Sequence, residues 1–156
     1  MGAAIGEDSS GSGASLNQPL AYSDLEKLQV LCLVQESGRL GDAALREEIC
    51  RTIAQNAKQG SPVPVEVVST GDPKIVQPGR LTILAHVAIA EVGGTNQLVF
   101  AMRPYRPAVA GSDILFGAMP RTASTTDKGQ IERAIASALD EILPWRAARP
   151  VPQAID

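Results

Sequence analysis

The stretch 81-LTILAHVAIAEV-92, followed by Gly-Gly-Thr-Asn and then 97-QLVFAMR-103, constrains this chain more than any other part of it. Two apolar runs joined by four turn residues with paired glycines predict a β-hairpin. In its first arm Ile83, Val87 and Ile89 share one face, while Thr82, Leu84, His86, Ala88 and Ala90 share the other. The face with the larger β-branched side chains must be covered, and the rest of the chain has to supply the cover.

Two segments have the pattern for it. In 43-AALREEICRTIAQNAKQG-60, Leu45, Ile49, Ile53 and Ala57 recur every four residues, which predicts an amphipathic helix. Asp42 is placed to cap its start, and Lys58 and Gly60 to close its end. In 127-DKGQIERAIASALDEILPW-145, Asp127 and Gln130 form a capping-box pattern and Ile131, Ile135, Leu139 and Ile142 line one side. Pro144 is expected to stop that helix. The continuous run 28-LQVLCLV-34 predicts a strand buried on both faces. A strand over 63-VPVEVVS-69 begins at or near an edge, because Pro64 cannot donate. The connector 70-TGDPKIVQPGR-80 reads as turns, and 113-DILFGAM-119 as a last strand ended by Pro120. The order β-α-β-β-β-β-α predicts an α/β two-layer sandwich, a mixed sheet of about five strands under two helices. A parallel first and second strand would be joined by a right-handed crossover.

The chain has 156 residues, enough for one core. Gly/Ser-rich residues 1–22 read as a flexible tether, 23–145 as the domain and 146–156 as a loosely ordered tail. A net charge of −3 argues against a nucleic-acid partner. No apolar run approaches the roughly 18 residues of a membrane span. The leader has neither a basic n-region nor an apolar h-region. Its composition and the even cysteine count favour an exported protein, periplasmic or envelope-located, from which a signal was removed; the alternative is a native cytoplasmic start. Cys32 and Cys50 are not spaced for a redox or zinc motif. In an exported protein they would form a disulfide tying strand to helix, and in a cytosolic one they would be two small buried side chains.

Few residues suggest chemistry. His86, the only histidine, has no evident nucleophile or ligand partner. Asp72, Glu91 and Asp113 could serve a hydrolase or transferase only if they converged in space. No metal site or cofactor is expected. The candidate binding residues are Arg103, Tyr105 and Arg106 in 103-RPYRP-107, with Arg121. If these arginines converged at one end of the sheet, they could grip a carboxylate, a phosphate or an acidic partner loop. The other reading is that the two prolines simply end the strand.

Over roughly 28–145, the β-α-β unit, the hairpin and the closing helix resemble the amino-terminal domain of TolB-type periplasmic proteins. Related modules occur in curli-secretion and peptidoglycan-synthase-activating lipoproteins. Those domains carry a further helix before the hairpin, for which 70–80 is too short and too rich in proline. The Gly71-Asp72-Pro73 turn, the hairpin and the Leu143-Pro144-Trp145 ending also resemble small uncharacterised exported proteins of alphaproteobacteria. These resemblances imply an envelope location. With no nucleophile–base pair, metal set or cofactor loop in the sequence, the leading reading is a non-enzymatic envelope domain that binds another protein or its own copies. The alternative is a small-molecule or anion-binding module built on Arg103, Arg106 and Arg121.

Overall fold

The structure, a computed structural model, describes residues 20–36, 39–40, 43–107 and 115–147. The strands are β1 (Lys27–Glu36), β2 (Arg39–Leu40), β3 (Val65–Val68), β4 (Arg80–Val92), β5 (Thr95–Tyr105) and β6 (Arg121–Ser124). The helices are α1 (Ala43–Lys58), α2 (Lys128–Ile142) and the single turn α3 (Pro144–Ala147). The sheet runs β2-β1-β4-β5-β6, with β3 also on β1. β1 is parallel to both β3 and β4, whereas β4–β5 and β5–β6 are antiparallel. It is the expected mixed sheet and two-layer α/β architecture.

Both long helices cover one face. Ile49, Ile53 and Ala57 of α1 and Ile131, Ile135, Leu139 and Ile142 of α2 are buried in one core. From the sheet come Leu28, Val30 and Val34 of β1, Leu81, Ile83, Val87 and Ile89 of β4, and Leu98, Phe100 and Met102 of β5. Burying each such side chain contributes about 1.5–3 kcal/mol before the entropy of ordering is subtracted. The Cys32–Cys50 disulfide ties β1 to α1, with Cα atoms 5.6 Å apart. Cys32 belongs to the alternation of Val30 and Val34, so it points to the helices.

Several local expectations are corrected. The hairpin turn is Gly93-Gly94, both at positive φ (60° and 82°), while Thr95 and Asn96 already pair with Val92 and Glu91. Two positive φ values match the strand twist, and only glycine adopts them freely. Pro104 does not end β5, because it is buried in register with Ile83. Met102 accepts a hydrogen bond from Ala118 N on the side away from β4 (2.8 Å), so by alternation the donorless Pro104 nitrogen also faces outward. The last strand is β6, after Pro120 rather than before it. Residues 115–120 are extended alongside β5 without strand pairing, although Ala118 N reaches Met102 O.

At α2, Asp127 Oδ1 accepts from Gln130 N (3.1 Å), but the Gln130 side chain turns to Ser124 N (3.0 Å) instead of closing the box. As expected, α2 stops ahead of Pro144, with Leu143 as its C-cap, and Pro144 then opens the separate turn α3. The domain boundaries also move. Residues Leu20–Tyr22 form a 3₁₀ turn, Ala21 is buried, and Tyr22 packs edge-on to Trp145 with ring centroids 6.2 Å apart. Burial raises the Tyr22 phenol above its ordinary pKa. Arg146 is buried as well, donating to Asp140 Oδ1 (2.8 Å) and Asn56 O (2.6 Å). The ordered body thus includes 20–22 and 146, against the expected limits of 23 and 145. Asp42, Asp113 and the rest of the leader and tail lie outside the described residues.

Candidate functional site

With both long helices on one side, only loops cover the other side of the sheet among the described residues. Strand pairing sets its side chains in rows. One row is polar: Glu66, Gln29, Thr82 and Tyr105, in register across β3, β1, β4 and β5. Thr82 Oγ1 donates to Gln29 Oε1 (3.0 Å), and Gln29 Nε2 donates to Glu66 Oε1 (3.0 Å). Arg80 Nη1 and Lys27 Nζ also reach the Glu66 carboxylate, at 2.8 and 3.4 Å. The Gln29 hydrogen bond, followed by Lys27 and Lys74, holds the Glu66 carboxyl below its ordinary pKa. Gln29 and Thr82 are fully buried. The turn Pro73–Val76 packs against β4. The turn leads into β4 through Gly79, at φ +74°, where an added Cβ would lie 2.9 Å from the Glu26 side chain.

The adjoining rows change character. Leu31, Leu84 and Arg103 are in register, and so are Leu33, His86 and Ala101. These two rows floor a groove of about 540 Å³, walled by Thr70 on one side and by Gly117 and Ala118 on the other. The three leucines are half-buried. His86 Nε2 lies 2.9 Å from Gln35 Oε1. Gly117 permits the close wall, since a Cβ there would meet Met102 O at 3.1 Å and Arg103 Cβ at 3.3 Å. Just beyond it, Phe116 and Met119 are 76% and 70% exposed.

The four residues singled out from the sequence are not brought together. Arg103 and Tyr105 stand on the helix-free face of β5. Arg106 Nη1 donates to Ala21 O and Ser23 O, both at 2.7 Å, and so pins the first turn of the domain. Arg121 is in register with Phe100, on the helix side, and pairs with Glu141 of α2. An arginine grip across one end of the sheet is therefore not what this geometry provides. Asp72 caps the Pro73–Val76 turn through Lys74 N (2.9 Å), and Glu91 is exposed near the hairpin tip, so these carboxylates are also apart. Sequence reasoning missed Leu31, Leu33 and Leu84. The available signal was the cover itself: two helices can shield only one face of the sheet, so apolar residues alternating with core residues face outward.

No protein-family model matches the chain, and no curated protein matches it. Among solved structures it is similar to two PelC dodecamers from Paraburkholderia phytofirmans, at TM-scores of 0.50 and 0.48. In both cases the identity is 13%, and the match covers 77% of this chain and 90% of the other. At that identity the likeness is one of fold.

Proposed function

We propose that this chain is a non-enzymatic, envelope-located domain that works by protein contact, in the first place with further copies of itself. The observation that carries the reading is the apolar ridge of Phe116 and Met119 beside the helix-free face. Large side chains exposed together at a sheet margin mark an interaction surface. Contact by added strands is discouraged at this margin. Gln130 Oε1 occupies Ser124 N, and Glu141 Oε2 occupies Met119 N (2.7 Å), so two of the backbone donors at this margin are already capped. Side chains, not ladder hydrogen bonds, are left to make the contact.

The assembly of PelC into dodecamers, on a similar fold, supports self-association. The Cys32–Cys50 disulfide supports an oxidising compartment such as the envelope. Among the described residues no helix is long and apolar enough to cross a membrane. The test is the solution mass of the unmodified chain and of Phe116→Ser/Met119→Ser, by size exclusion with light scattering. Both positions are exposed, so the double variant should fold. It is expected to fall from a multiple of 16.3 kDa to the monomer. An unmodified chain that is monomeric, or a double variant with unchanged mass, would refute the reading.

A further inference from the structure

We propose that the groove on the helix-free face binds a single-chain anionic amphiphile, its alkyl tail over Leu31, Leu33 and Leu84 and its head on the Arg103 guanidinium. At about 540 Å³ the groove is within the roughly 300–1,000 Å³ of small-molecule sites. Its floor is apolar, and its two side chains able to meet a charged head, Arg103 and His86, lie in neighbouring rows. No Asp or Glu is among the described residues that line it. Charge therefore selects an anion.

Arg103 is available in a way that Arg80, Arg106, Arg121 and Arg146 are not. Arg80, Arg121 and Arg146 are each paired with a carboxylate, and Arg106 is spent on two carbonyls. The Arg103 side chain makes no hydrogen bond or ion pair among the described residues, and it stands in register with Leu84 at the end of an apolar row. A head on Arg103 would thus leave its tail lying across β4 and β1.

The tail is an alkyl chain rather than a peptide because of the floor. β4 is paired with β1 on one side and β5 on the other along this stretch, and strand backbone groups lie in the plane of the sheet, so the floor presents side chains rather than free amides. A peptide laid there would bury amides without partners, whereas an alkyl chain has none to satisfy. The site is distinct from the Phe116–Met119 ridge, and the inference does not rest on self-association.

The experiment titrates a fluorescent undecanoate into the full chain and displaces it with dodecanoate, using dodecyltrimethylammonium as the cationic counterpart. It is repeated on Phe116→Ser/Met119→Ser, so that loss of assembly and loss of binding are read separately. Saturable binding is expected in both proteins, with dodecanoate displacing the probe and the cation failing to. Arg103→Glu, an exposed position, should weaken binding by at least about tenfold, the scale of one charge-assisted hydrogen bond. Arg121→Ala, on the opposite face, should leave it unchanged. Absence of saturable binding, equal displacement by the cation, or indifference to Arg103→Glu would overturn the proposal.

Discussion

Replacing both cysteines, Cys32→Ala with Cys50→Ala, isolates the contribution of the strand-to-helix cross-link. The bonded residues are 18 apart in sequence. Closing a loop of that length removes about 11 cal/mol/K of entropy from the unfolded chain, or ~3 kcal/mol at 25 °C. Both positions are only half-buried and alanine keeps them small and apolar, so little packing is lost beside the cross-link. For a domain of this size the loss corresponds to a fall in Tm of roughly 10 °C. Thermal melting followed by far-ultraviolet circular dichroism measures it, with the reduced unmodified chain as the matched control. The reduced chain and the double variant should melt together, well below the oxidised chain. A fall of less than about 3 °C would refute the idea that the cross-link limits the unfolded ensemble.

Arg106→Ala removes two hydrogen bonds from a half-buried guanidinium to the carbonyls of Ala21 and Ser23, at a cost of about 1–3 kcal/mol. Amide exchange over residues 20–24 should accelerate while β4 stays protected; unchanged exchange would show that Arg106 does not anchor the first turn. Glu66→Gln tests the polar row. Because the folded Glu66 carboxyl sits below its ordinary pKa, its contribution is complete above that ordinary value and is lost as pH falls through the lowered one. Between about pH 5 and pH 3 the unmodified chain should therefore lose more Tm than Glu66→Gln does, and equal slopes would contradict the assignment.

The helices and the central hairpin were legible because their signals are periodic and local. Ile131, Ile135, Leu139 and Ile142 need only the helical repeat, and the alternation around His86 separates the two faces of β4 as observed. Position relative to other strands was not legible. Residues 113–119 carry an apolar pattern, yet the strand forms at Arg121–Ser124, where Ala123 meets Leu98 in the core. Pro104 illustrates the same limit: a proline ends a strand only if its missing donor faces a neighbour, and that depends on pairing phase. The run 28–34 predicts a strand buried on both faces, but Leu31 and Leu33 are only half-covered, since no helix among the described residues packs on their side. Arg103, Arg106 and Arg121 are close in the sequence pattern and separate in space. One faces the groove, one holds the first turn, and one is on the helix side.

The proposed self-association through the exposed Phe116 and Met119 is a property of the free chain in solution. Sedimentation velocity of the unmodified, oxidised chain over a wide concentration range tests it most directly. The account predicts a sedimenting species whose mass is a multiple of 16.3 kDa and whose share grows with concentration. A single 16.3 kDa species at every concentration up to the limit of solubility would contradict it.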